Sequence, residues 1–343
     1  MIMMCFCMVS AIATAKSADT TRVETSSTIG SIRKTVRGFS AIDTAYIEPQ
    51  HYNYALMVQT TYNLDMYWLR SGNGQEVMLS PDVVMRVGPY FGWRWLFLGY
   101  TFELKNIGVK DNKLKKEFAP SLYSSQIGVD LFYRRTGNDY KIRKACFDEG
   151  VDVSKLKNVE FDGLNVGITG FNLYYIFNHN RFSYPAAFSQ STIQKVSCGS
   201  WLAGIGYTKQ SIDNVRIDSS LMFNSVKYYD INMSAGYAYN WVFAKNWLFC
   251  SSVSVALAYK KSTGNVGEDD ESGFTFNNFN LDGIGRFGLV YNNMRWYTGA
   301  NVILHSYNYH KSRFSANHIF GSLNIYLGMN FGVKDKYRKK KTK

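Results

Sequence analysis

Taken two residues at a time, residues 96–104 put Leu96, Leu98, Tyr100, Phe102 and Leu104 on one face and Phe97, Gly99, Thr101 and Glu103 on the other. One face suits hydrocarbon and the other a mixed, wettable interior. The alternation recurs down most of the chain. From Tyr54, the positions Leu56, Val58, Tyr62, Leu64, Met66 and Trp68 oppose Gln59, Thr61, Asn63 and Asp65, and then Val83, Met85 and Val87 oppose Asp82, Arg86 and Gly88. Within residues 121–135, Ile127, Val129, Leu131 and Tyr133 oppose Gln126, Gly128, Asp130 and Arg134. The pattern is strongest where Ile231, Met233, Ala235, Tyr237, Tyr239 and Trp241 alternate with Asn232, Ser234, Gly236, Ala238 and Asn240. The last run, 318–331, sends Leu323, Ile325, Leu327, Met329 and Phe331 to one side. So many strands with one apolar and one mixed face predict an all-β fold, a closed antiparallel transmembrane β-barrel of the outer-membrane kind.

Turn chemistry orders these strands. Short turns flanked by Trp and Tyr are expected at 91–94, 136–139, 243–246 and 292–294, and all four should share the periplasmic end, where barrel turns are short. That parity requires 140–147 to be a strand, and it gives about twelve strands, within about ten to fourteen, with both termini periplasmic. A phase shift near Gly170 in 161–177 predicts a β-bulge. Residues 178–194 are expected to be an ordered connection, and 208–230 a polar excursion with room to fold into the lumen.

Composition narrows the alternatives. With 25 Tyr, 28 Gly and only 5 Pro in 343 residues, the chain suits long strands, because proline removes ladder hydrogen bonds. A mean hydropathy of -0.22 is too polar for a helical membrane protein. The one continuous apolar stretch, 1–18, ends in Ala13-Thr14-Ala15 and is expected to be a secretory signal peptide. Residues 19–52 follow as a periplasmic lead-in, 53–332 as the barrel and 333–343 as a basic periplasmic tail. Cys146, Cys198 and Cys250 have no metal-type spacing and no even pairing. The formal charge of +13 is spread over loops and the tail rather than along one helix, which points away from nucleic acid and towards anionic lipid head groups.

Residues 88–104 (GPYFGWRWLFLGYTFEL), with 39–49 (FSAIDTAYIEP), FSYPAAFSQS from Phe182 and 199–208 (GSWLAGIGYT), resemble an uncharacterised Bacteroidota outer-membrane barrel family, a domain of unknown function. The resemblance spans most of the chain after residue 18. It implies location and architecture, and it carries no activity or catalytic residues.

Candidate chemistry is sparse. A lipid-modifying barrel enzyme needs a nucleophile and a base, and His305 with Ser306 is the nearest approach, with His310 and His318 beyond. Neighbours in a strand point to opposite faces, so they should not meet, and the histidines are expected in solvated loops or at strand ends. No cofactor motif and no metal spacing is present. The inward charges are more informative: Asp65, Asp82, Arg86, Glu103, Asp130, Arg134, Asp282 and Arg286 all fall opposite the lipid face. They imply a salt-bridged filling or a narrow aqueous path. The expected function is therefore a non-enzymatic outer-membrane barrel, either a small-solute pore or a membrane anchor and scaffold. Lipid is its partner, and the assembly machinery would meet its C-terminal strand. The alternatives are a lipid- or envelope-modifying enzyme and a partner-binding barrel of a surface or secretion assembly.

Overall fold

Strands that alternate in polarity still have two hydrogen-bonding edges to satisfy, and nearly all the pairing in this chain joins strands side by side. The computed structural model describes residues 42–71, 74, 76–93, 96–99, 102–103, 116–118, 121–136, 140–146, 158, 164–214, 225–265, 274–311 and 314–338. The expected signal peptide lies outside them.

In chain order the strands are β1 (Ile47–Pro49), β2 (Tyr52–Ser71), β3 (Glu76–Pro81), β4 (Met85–Trp93), β5 (Leu96–Gly99), β6 (Phe102–Glu103), β7 (Lys116–Phe118), β8 (Ser121–Tyr123) and β9 (Ile127–Thr136). They continue with β10 (Tyr140–Cys146), β11 (Leu164–Ile176), β12 (Thr192–Gln194), β13 (Cys198–Asn214), β14 (Ser225–Ala244) and β15 (Trp247–Asn265). The last three are β16 (Phe274–Asn292), β17 (Trp296–Lys311) and β18 (Phe314–Val333). One short helix, α1 (Tyr184–Phe188), lies between β11 and β12. No helix among the described residues is long and apolar enough to cross a membrane.

All strands but β1 and β12 join one antiparallel sheet whose main ladder runs β10-β3-β2-β18-β17-β16-β15-β14-β13-β11-β9-β7. Because each neighbour is antiparallel, the sense of every strand follows. Grouping β3 with β4, β5 with β6, β7 with β8 and β9 with β10 by common sense gives twelve traverses of alternating direction. Among the described residues the two ends of the ladder, β10 and β7, are not hydrogen bonded to each other.

The count matches the expected one by a different route. β9 and β10 run in the same sense, so 136–139 does not reverse the chain as expected; its turn residues (137–139) lie outside the described part. The reversal falls instead at 124–126, inside the run expected to be one strand. There the Ser124 hydroxyl accepts from the Ile127 amide at 2.8 Å and donates to the Ile127 carbonyl at 2.8 Å. The β-bulge expected at Gly170 is absent, since β11 pairs without a break with both β9 and β13. The apparent phase shift arises because Val166 and Ile168 are inward-facing apolar residues, packed with Tyr67, Leu79 and Tyr140. The described parts of 208–230 are not an inward excursion but the paired ends of β13 and β14.

Side-chain polarity is inverted relative to a water-soluble core. Outward positions such as Trp201, Met233, Ile231, Val253, Leu257, Phe279 and Leu327 are exposed. The inward positions of the same strands carry Asn232, Asn240, Ser252, Ser254, Lys260, Asp282 and Arg286, all buried. At Gly170 an added Cβ would stand 2.3 Å from the Tyr207 carbonyl oxygen, a backbone atom that cannot move without breaking the ladder. Gly170→Ala should therefore lower the denaturation midpoint by about 1–3 kcal/mol of stability, the usual cost of overpacking. Gly283→Ala, where nothing lies within 4 Å, should leave it unchanged. Urea titration of the two variants in detergent, followed by gel mobility before and after heating, checks both.

Candidate functional site: a charged and plugged interior

Charges turned inward have to be answered by other charges or by water, and here they gather into groups. In the first, Asp65 on β2 is 1% exposed and receives Nε2 of His318 at 2.8 Å, the Tyr140 hydroxyl at 2.8 Å and Nη1 of Arg134 at 3.2 Å. His318 stacks on Tyr67 with ring centroids 4.1 Å apart, and Gln210 on β13 donates to the Tyr67 hydroxyl. Asp65 lies near one end of the ladder and Arg134 near the other. This ion pair therefore links strands near opposite ends of the ladder.

The second group joins strands far apart along the ladder. Arg286 on β16 donates from Nη2 to Asp130 on β9 at 2.8 Å, although β15, β14, β13 and β11 separate them. Asp130 also accepts from the Tyr123 hydroxyl at 3.2 Å, and the guanidinium lies 5.0 Å over the Tyr174 ring. In the third, Lys260 meets Asp282 at 2.9 Å and Asp230 at 3.4 Å, donates to the Asn308 carbonyl at 3.2 Å and lies over the Tyr307 ring. Arg86 and Glu103 pair at 3.1 Å between β4 and β6.

Of the eight charges assigned inward from the sequence, seven are thus paired within the sheet. Asp82 stands apart: it lies between β3 and β4, its side chain is 48% exposed, and it binds Lys141 and Arg143 at 2.6 Å each. Lys260, Asp230 and His318 join the interior although they were not among the eight. Their parity carried the signal, because Asp230 shares the face of Asn232, and Lys260 that of Ala258 and Ala256. The histidine expectation fails for His305 and His318, which lie in β17 and β18 and are buried rather than solvated in a loop. Ser306 follows His305 within β17 and so points to the opposite face.

The turn end of the interior is filled by the connection between β11 and β13. Ser183 caps α1, its hydroxyl accepting from the Ala186 amide, and Pro185 lies in the first turn where no amide donor is needed. Phe182, Tyr184 and Ala187 are wholly buried. Ala186 and Ala187 pack on Leu248, Cys250 and Val290, inward residues of β15 and β16. Tyr184 donates to the Ser252 hydroxyl at 2.7 Å, and burial pushes its phenol up to about 12, so the donor keeps its proton. Asn240 donates to the Ser183 carbonyl at 2.8 Å and to Gln194 at 3.1 Å. Gln190, held at a positive φ of 52°, donates to the Tyr326 hydroxyl on β18 at 2.8 Å. Below this plug, β12 pairs with β1, so residues 47–49 of the expected lead-in are an ordered strand.

Asp65→Asn should remove about 3–5 kcal/mol of stability, because it leaves Arg134 and His318 buried without their anion. Adding Arg134→Met in the same chain should restore part of that loss. Urea midpoints of the two single variants and the double variant measure the coupling.

Comparison with solved structures finds similarities of low sequence identity, among them the following. The outer membrane protease OmpT from Escherichia coli is 8% identical, with 81% of this chain and 97% of that chain covered and a TM-score of 0.38. The translocator domain of the autotransporter NalP from Neisseria meningitidis is 10% identical, with 89% and 98% covered and a TM-score of 0.37. The toluene transporter TodX from P. putida is 7% identical, with 82% and 91% covered and a TM-score of 0.25. No curated protein matches the sequence. Residues 41–331 match a single family over most of the chain, and the protein belongs to that family, described as a domain of unknown function (DUF4421).

Proposed function

We propose that this chain is a non-enzymatic integral outer-membrane β-barrel with its lumen held shut, serving as a membrane anchor or scaffold and passing small solutes only when its plug is displaced. The observation that carries the reading is the 178–194 connection seated on the inner face of β15 and β16 while the outer faces of the same strands are apolar and exposed.

The outer face supports a membrane setting by its dimensions. On β15 the outward positions from Phe249 to Tyr259 include Val253, Val255 and Leu257, close to the ~9–11 residues that a tilted strand needs to cross hydrocarbon. Soluble monomers seldom expose a continuous apolar surface of more than a few hundred Å². Within lipid an open sheet edge would leave unpaired amides at several kcal/mol each, so the ends that the Asp65–Arg134 pair links are read as closing on one another. The short connections at 245–246 and 293–295, the start of β2 and the end of β18 share one end, taken as periplasmic.

The interior supports a shut lumen. Arg286 and Asp130 meet across it, and the space near them, among Asn172, Tyr174, Ser234 and Ser254, has a cavity volume of about 10 Å³, room for roughly one water. A lipid-modifying enzyme gains nothing from the side-chain placement, since His305 is inside and Ser306 faces away.

Purified protein in planar bilayers should show no steady conductance. Replacing 182–190 by a Gly-Ser bridge should open discrete steps in a chain whose gel mobility still shifts on heating. A steady open level in the native chain, or silence in the folded plug deletion, would remove the proposed role of the plug. Fractionation away from the outer membrane would remove the location.

A further inference from the structure

The boundary between the apolar belt and the end opposite the turns is sharp on one side of the sheet, and it is marked by cations. Along β13 the outward positions run Trp201, Ala203, Ile205 and Tyr207, and the next is Lys209. Along β15 they end at Leu257 and Tyr259, and the next is Lys261. The strand between them, β14, brings Tyr229 into register with both, so Lys209, Tyr229 and Lys261 form one row. One outward position farther from the belt, Lys227 on β14 and Arg135 on β9 lie in the next row.

All four cations are exposed, and among the side chains that the structure describes none is a carboxylate partner to them. The inward cations Arg86, Arg134, Lys260 and Arg286, by contrast, are each paired with a carboxylate. Lys209 lies 5.6 Å over the Tyr229 ring, which holds its ammonium along the sheet surface rather than out in solvent. With neighbouring strands ~4.8 Å apart, Lys209 and Lys261 flank Tyr229 at roughly 10 Å, close enough for two flexible stems to reach one anion from both sides. Directly along the strands from that row come Ile231, Met233, Leu257 and Phe279, all exposed. A ligand seated here meets cations at its head and a hydrocarbon-compatible wall along its length.

We propose that Arg135, Lys209, Lys227 and Lys261 bind the phosphate-bearing head group of an outer-leaflet glycolipid whose acyl chains lie along β13, β14 and β15. Charge complementarity selects the head: a phosphate offers several oxygens to ammonium and guanidinium donors at once, whereas a zwitterionic head group carries its own cation towards the row. The apolar wall selects a lipid over a free anion. The proposal rests on the outer-membrane reading, because only there does this end of the belt face a phosphorylated glycolipid leaflet.

The test is lipid retention by the full chain purified from outer membranes, with bound phosphorylated glycolipid measured as organic phosphorus and by mass spectrometry. Lys209→Gln, Lys227→Gln and Lys261→Gln in one chain should lower retention more than tenfold, while heat-modifiable mobility shows that the sheet still forms. Lys245→Gln with Arg295→Gln, at the turn end, should leave retention unchanged. In reconstituted discs the native chain should capture lipid A and not its dephosphorylated form, and millimolar inorganic phosphate should not displace it. Equal retention by the triple variant, equal loss from the turn-end variant, or displacement by inorganic phosphate overturns the proposal. A chain absent from the outer-membrane fraction fails the membrane reading first, so the two failures are told apart.

Discussion

A sheet that turns most of its apolar side chains outward keeps only small apolar clusters on its concave side, so the polar groups there must answer one another. Asp65 shows the constraint in its sharpest form. It is buried, and a buried carboxylate costs several kcal/mol unless cations and donors reach it. Here they come from β18 and from the consecutive strands β9 and β10, all far from Asp65 along the chain. Local pairing fixes each hairpin, but only such cross-interior contacts specify how far the sheet must curl. Arg286 with Asp130 imposes the same requirement one level along, across four intervening strands.

The plug obeys the same rule with neutral groups. Its backbone leaves the sheet and would carry unpaired carbonyls into the interior, and inward residues of the strands take them up: Asn240 donates to the Ser183 carbonyl and Asn292 to that of Gln190. Where the plug is apolar, the strands are apolar too, with Leu248, Cys250 and Val290 opposite Ala186 and Ala187. Inward polarity therefore changes along β15, apolar near the turns and then Ser252, Ser254 and Lys260. The interior is matched to what fills it at each level.

That matching explains what was legible in the sequence and what was not. Period-two alternation is a property of single strands, so the faces of β2, β9, β14 and β18 and the inward place of Asp65, Asp130, Arg134 and Arg286 could be read off directly. It assumes that inward means polar. Val166 and Ile168 break the assumption, and the phase shift inferred at Gly170 is the result. Reversals without glycine or asparagine are equally hidden, as at Ser124, where one hydroxyl does the work of a turn sequence. The partners of each charge are invisible to any local rule: nothing near Asp65 in sequence names His318, 253 residues away. Residues 182–190 were legible as ordered, while their seat inside the sheet depends on complementarity with β15 and β16.

The distribution of charge follows from the same constraint. Asp65, Asp130, Asp230, Asp282 and Glu103 are set against Arg134, Arg286, Lys260 and Arg86, with His318 on Asp65. Among the described ion pairs, five carboxylates against four permanent cations nearly cancel, which is what a poorly solvated space can tolerate. The chain as a whole carries +13, and among the described residues Arg135, Lys209, Lys227 and Lys261 are exposed on the outer face. A solvated surface tolerates unpaired lysine at little cost, yet β13, β14 and β15 set theirs at the edge of the apolar belt, in register around a tyrosine, rather than scattering them. Balanced charge within and lysines in register at the belt edge are thus two consequences of one inverted sheet: the first lets it fill, and the second places its unneutralised cations on the outer face.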